Sequence, residues 1–167
     1  MAKSNDHSAF DALYRESRDD VYAYVAYLVG DRHVAEDVTA QAIERAYRKH
    51  DRFNPRRGTR RAWLFGIARN AALDELRRSK RVAVLDLEVE HPDPSASDPV
   101  ESALTRADLV AALRQLDRGD RELIAIKYFG GLANSEIARA LGISESNVGT
   151  RLHRGLNRLR EILDENL

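Results

Sequence analysis

The feature that most restricts how this chain can fold is an interruption near its middle. Val82 to Glu101 holds three of the four prolines, six carboxylates and no basic residue, a composition that resists packing and reads as an extended linker. On both sides apolar residues recur at helical spacing, with no strand alternation and no internal repeat. A chain of 167 residues divided in this way is expected to be all-α, with two small helical domains, 1–81 and 102–167, joined by the acidic linker 82–101. Each domain is expected to bury a modest core of its own.

Three helices are expected before the linker. The first, Ala9 to Val29, turns Leu13, Val21, Tyr24, Val25 and Leu28 inward and stops at Gly30. Asp31 can cap the second, which runs to about His50 with Val34, Val38, Ala42, Ala46 and Tyr47 on one side and Glu36, Asp37, Gln41 and Glu44 in solvent. After a breaker, Phe53 to Thr59 (FNPRRGT), the third spans about Arg60 to Arg81, with Trp63, Leu64, Ile67, Ala68, Ala71 and Leu76 inward. Beyond the linker, Ser102 to Leu116, Asp120 to Phe129, Ser135 to Leu141 and Glu145 to about Leu163 read as four more, divided by the Asp117 to Gly119 turn, Gly130-Gly131 and Gly142.

Net charge is zero, but the charge is sorted into blocks. Residues 45–81 carry 13 basic and 3 acidic groups, whereas 1–44 carry 4 and 9. Such a basic block fits a phosphate footprint, and it equally fits a solvated helix face. The sharper local signal is Asn134 to Arg160. There a short amphipathic helix, a tight turn at Gly142, and a second helix capped by Ser144 with Ile143, Val148 and Leu152 packing back form a helix-turn-helix. An ordinary helical hairpin would share that outline; the small residues Ala138 and Gly142 at the crossing favour DNA binding. The second helix would then enter the major groove and offer Ser146, Asn147, Gly149, Thr150, Arg151, His153 and Arg154 to base edges.

Other chemistry finds little support. There is no cysteine, which removes disulfides and thiolate metal sites. The five histidines, His7, His33, His50, His91 and His153, lack metal-ligand spacing, no glycine-rich phosphate loop occurs, and adjacent Asp74 and Glu75 make a poor acid-base pair. No catalytic residue, metal or cofactor is expected. With no apolar run of membrane-spanning length, and no signal-like segment in Met1 to Phe10, a cytoplasmic protein without membrane insertion is expected.

Ala35-Glu36-Asp37-Val38 followed by Arg45-Ala46-Tyr47, then the WLFGIARN run Trp63 to Asn70 with Asp74, Leu76 and Arg77-Arg78, then Ser144 to Arg154, resemble in order and spacing the extracytoplasmic-function group of the sigma-70 family. The resemblance covers nearly the whole chain. It implies a non-enzymatic factor that binds core RNA polymerase, recognises two promoter elements and helps open one of them.

Residue by residue, the resemblance implies that Glu36, Asp37, Gln41 and Arg45 dock on the clamp of the polymerase's largest subunit, a face that is otherwise simply solvated. It places single-stranded minus-10 DNA against Arg56, Arg57, Arg60, Arg61, Trp63, Asn70, Arg77 and Arg78, although the spacing of Trp63 alone reads as core. The second domain would read double-stranded minus-35 DNA and rest on the flap of the second-largest subunit. The linker would run toward the active-site and RNA-exit channels, and an inhibitory anti-sigma factor is implied as a further partner. Gly149 departs from the lysine or arginine of many relatives, and Ala40-Gln41 from a common Gln-Glu pair. A stand-alone helix-turn-helix regulator is the alternative, and it predicts DNA binding without polymerase.

Overall fold

In the computed structural model the described residues are 2–83, 108–109 and 111–165. Among them all regular structure is helical: α1 (Ala2–Val29), α2 (Arg32–Arg48), α3 (Arg60–Ala83), α4 (helical residues 108, 109 and 111–114), α5 (Arg118–Gly130), α6 (Asn134–Leu141) and α7 (Glu145–Glu165). Two 3-10 turns, His50–Arg52 and Pro55–Arg57, join α2 to α3. The expected linker beyond Ala83, and residues 102–107 of the expected Ser102 to Leu116 helix, lie outside the described residues.

Local chemistry accounts for most boundaries. Asp31 accepts the Val34 N–H at 3.0 Å and starts α2, while Gly30 just before it sits at φ +73. Ser144 Oγ accepts the Asn147 N–H at 3.1 Å at the head of α7. The α5 helix begins at Arg118, earlier than expected, because Asp117 is its cap and accepts the Asp120 N–H at 2.9 Å; that hydrogen bond holds the Asp117 carboxyl below its ordinary value. Gly142, left-handed at φ +70, makes the turn between α6 and α7 that an L side chain would strain.

The expectation of two separate cores does not hold for the described residues. Val21, Tyr24 and Val25 of α1, Phe65 and Ala68 of α3, Leu123 and Ile126 of α5, Ile137 of α6 and Val148 of α7 belong to one buried cluster. Only a smaller cluster, Ala112, Leu116, Leu159 and Ile162, is private to the second half. The cause lies in α5, where Leu123, Ile124, Ala125 and Ile126 run consecutively and, at 100° per residue, spread apolar surface around most of the helix, leaving Arg118, Lys127 and Tyr128 exposed. The α7 helix covers one side of α5, and α1 and α3 cover another. Gly130 permits a close approach of α5 to α3: a Cβ there would lie 3.0 Å from Leu132 Cγ and 3.5 Å from Phe65 Cδ1.

Most expected inward residues are buried, with Val34, Leu28, Ile67 and Leu76 half-buried at the margin. Tyr47 differs. It is 46% exposed, because it lies edge-on to Phe10, with ring centroids 5.3 Å apart, on a surface shared with His7 and His50. Among the described residues no helix is long and apolar enough to cross a membrane, and no group of three or more potential metal ligands occurs.

Candidate nucleic-acid interface

The basic loop between α2 and α3 is shaped by its own side chains. Asn54 Oδ1 accepts the Arg56 N–H at 3.0 Å and Pro55 opens the second 3-10 turn. Gly58, at φ +142, redirects the chain, and Thr59 Oγ1 accepts the Ala62 N–H at 3.1 Å at the head of α3. The loop, one face of α3 and one face of α6 enclose a solvent-open cavity of about 920 Å³.

Phe53 and Trp63 meet edge-on in this cavity at 5.8 Å, and the Arg60 guanidinium lies 4.6 Å from the Phe53 ring centre. Asn70 lines the same space, as do Arg52, Arg57 and Arg139. Aromatic faces, an amide that both donates and accepts, and a positive rim suit an unstacked nucleobase and its backbone.

Three of the expected minus-10 residues therefore line one site: Arg57, Trp63 and Asn70. Trp63, expected as core from its spacing, is half-buried and forms a wall. Arg56 is exposed, and its carbonyl accepts from Arg139 at 3.4 Å. Arg77 and Arg78 lie farther along α3 and pair on their own helix with Asp74 and Glu75.

Arg61 points away from the cavity into the seam between the two halves. It donates to Asp20 Oδ2 (2.7 Å), Gly130 O (2.7 Å), Phe129 O (3.1 Å) and Ser17 Oγ (3.3 Å). About two turns farther along α3, Arg69 and Glu122, 18% and 14% exposed, form an ion pair joining α3 to α5.

On the helix-turn-helix, Ser146, Asn147, Thr150 and His153 are exposed, Gly149 is half-buried, and Arg154 is 61% exposed. Arg151 behaves otherwise. Only 24% exposed, it donates through Nε to Asp120 Oδ1 at 3.1 Å. Arg154 reaches both oxygens of the same buried carboxylate, each at 3.1 Å. Asp120 thus clamps α7 to α5. The α2 face is solvent-facing, with Glu36 3.6 Å from Arg32, Arg45 3.9 Å from Asp74, and Asp37 and Gln41 exposed.

Sequence reading missed Asp120, Glu136 and Thr59. The signal for Asp120 was an acid at helical spacing with Leu123 and Leu116. Glu136 carried half a signal: third in its helix, it accepts the Ala133 N–H at 3.2 Å, the part of a capping box that an alanine cap allows. Its other oxygen accepts from both the amide and the hydroxyl of Thr59, at 2.9 and 2.7 Å. Burial pushes the Glu136 carboxyl up, but the Thr59 and Ala133 hydrogen bonds and Arg139 outweigh it and hold it below its ordinary value.

Comparison with known proteins covers both halves. The family model for Sigma-70 region 2 matches residues 13–82, and that for Sigma-70, region 4 matches residues 100–159. The ECF RNA polymerase sigma factor SigL of Mycobacterium tuberculosis is 36% identical over 92% of this chain and 88% of its own length. The ECF RNA polymerase sigma factor BldN of Streptomyces coelicolor is 32% identical over 98% of this chain, which spans 64% of that protein. Among solved structures, the sigma factor RpoE from Bartonella quintana, in complex with the anti-sigma factor NepR, is 25% identical, with a TM-score of 0.78 over 93% of this chain and 97% of that one. CnrH, in complex with the cytosolic domain of CnrY, is 26% identical, with a TM-score of 0.69 over 96% and 91%.

Proposed function

The chain belongs to the sigma-70 family as an RNA polymerase sigma factor of the extracytoplasmic-function group, and we propose from that premise how its parts divide the work. The 13–82 half docks on core polymerase through the exposed face of α2, with Glu36, Asp37, Gln41 and Arg45 meeting a basic partner surface. Its cavity holds an unstacked base of the minus-10 strand between Phe53 and Trp63, with Asn70 reading its edge and Arg57 beside the backbone. The α7 helix reads the minus-35 duplex through Ser146, Asn147, Thr150, His153 and Arg154. The protein moves no bonds; it positions polymerase and stabilises an opened strand, and it works in the cytoplasm where the polymerase is.

The observation that carries this reading is the cavity itself, in which stacking faces, an amide and arginines converge. A stand-alone regulator would leave that cavity and the α2 face without a role.

Spanning both elements requires the halves to part. About 25 base pairs at 3.4 Å rise cover about 85 Å, whereas the longest helix, α1 with 28 residues, measures about 42 Å. The 24 residues from 84 to 107 can bridge at most about 86 Å of covalent reach. The packed arrangement is therefore a resting form. An anti-sigma factor, the kind of partner RpoE carries in its solved complex, would act by favouring it.

The test is transcription in vitro by purified core polymerase on a promoter-fragment library, with and without this protein. Discrete starts only in its presence are expected. Equal transcription in both reactions, with folded protein and active core, refutes the reading.

A further inference from the structure

We propose that Glu136 is a competitor for single-stranded DNA carried by the chain itself. Its carboxylate occupies, at Thr59, the place of a strand phosphate, so that strand binding in the cavity and packing of α6 against it exclude each other. The proposal rests on the reading that this cavity takes the opened minus-10 strand.

Several features make this place one for an anion that arrives from outside the loop. The Thr59 amide and hydroxyl converge on a single oxygen, at 2.9 and 2.7 Å. They stand at the N-terminal end of the 24-residue α3, where the helix dipole favours negative charge. The group that satisfies them comes from the other half of the molecule, 77 residues away. It enters a cavity whose other charged walls, Arg52, Arg57 and Arg139, are cations.

Gly58 adds room. A Cβ there would lie 3.2 Å from Glu136 Oε2, and the space left open admits a phosphate oxygen as readily as a carboxylate. When α6 withdraws, as spanning two promoter elements demands, the two donors of Thr59 lose their partner while Phe53, Trp63 and Asn70 stay in place. A backbone phosphate beside a base stacked in the cavity then restores the same two hydrogen bonds. Promoter melting and release of the reading domain become a single exchange.

The experiment measures the anisotropy of a labelled, random-sequence, twelve-nucleotide single-stranded DNA on the full chain without polymerase. In Glu136→Gln the one remaining carbonyl oxygen serves the Ala133 N–H of its own helix, and the amide turns donors toward Thr59. Apparent affinity scales with the fraction of open molecules, so tightening on the order of 5- to 10-fold is expected. Glu16→Gln, which removes the same charge from an exposed position on α1, should change little; an equal gain there reduces the effect to net charge and overturns the proposal.

A second measurement does not depend on that variant folding. The chain has no cysteine, so Ser79→Cys with Asn157→Cys, both exposed, accepts a fluorescent donor and acceptor. Addition of the oligonucleotide should lower transfer between the halves; binding with unchanged transfer overturns the exclusion. Both assays omit polymerase, so loss of factor-dependent transcription would count against the functional reading and not against this competition.

Discussion

Arg61 donates to the carbonyl oxygen of Gly130 at 2.7 Å across 69 residues of sequence, so the first turn of α3 also caps the last turn of α5. A guanidinium can serve Phe129, Gly130, Ser17 and Asp20 together because its donors form a rigid fork. Arg61→Ala should loosen the packing of the two halves by about 2 kcal/mol, the scale of hydrogen bonds to a charged donor. Arg61→Lys should recover less than half of this. Denaturant midpoints and small-angle scattering of the free protein check both, and an unchanged radius of gyration in Arg61→Ala contradicts the role.

The two arginines of the reading helix should part company on mutation. Arg154→Ala removes a largely exposed cation that also holds both oxygens of Asp120, so it should weaken minus-35 duplex binding by about 1–3 kcal/mol and lower the melting temperature as well. Arg151→Ala leaves the buried Asp120 carboxylate with one partner fewer and should cost stability first, about 1–3 kcal/mol. Calorimetry beside a duplex-binding titration separates the two. Identical profiles would mean that Asp120 does not divide their work.

Gly149→Lys should be accommodated, since the nearest atom to a new Cβ is Asn134 Nδ2 at 4.0 Å. Removing a mid-helix glycine should raise stability by about 0.5–1 kcal/mol. If the ammonium meets a phosphate, the slope of log affinity against log salt should steepen by about one. A stability gain with an unchanged slope would place position 149 away from the DNA backbone.

Asp37→Lys should weaken binding to core polymerase while leaving the melting curve and minus-35 duplex affinity intact, because Asp37 is exposed on α2. Asn70→Ala should show the opposite pattern, with polymerase affinity kept and promoter opening impaired. Permanganate footprinting of the melted strand, beside a polymerase-binding titration, distinguishes them; a joint loss of both in Asn70→Ala would instead indicate damage to the fold.

Acid should open the packed form. The Glu136 carboxyl is depressed in the folded chain, so its contribution is complete above the ordinary glutamate range and is lost as pH falls through the depressed value. Asp117, also depressed, changes in the same direction. Energy transfer between labels on the two halves should be flat from about pH 7 to 5 and fall below about pH 4. A fall that persists in Glu136→Gln would assign it to other carboxyls.

What is legible in the sequence is what has a local cause. Gly30, Asp31, Ser144 and Gly142 end or start helices through groups within four residues of themselves, and the helical class, the turn of the helix-turn-helix and the wet face of α2 follow. The clamp of Asp120 on Arg151 is harder to see, because one step of 100° around α7 takes an arginine from the exposed side at Thr150 to the α5 side. The Arg61 to Gly130 and Thr59 to Glu136 contacts leave no mark at all. Each of the four residues is ordinary where it stands, and each pair is joined only by the packing of α5 and α6 on α1 and α3. The shared core was missed for the same reason, since an apolar run on α5 records that it is covered but not by what.

That shared core gives the stretch between Ala83 and residue 108 a thermodynamic task apart from its reach. Two bodies that complete one another's interior behave as a split protein, and the covalent tether keeps each at an effective concentration of about a millimolar around the other. While the chain is whole, closure is independent of how much protein is present. Once a protease cuts between residues 84 and 107, the same interface becomes an ordinary bimolecular equilibrium: the fragments stay paired when concentrated and part when diluted, and the reading domain escapes with no change to any residue that holds it.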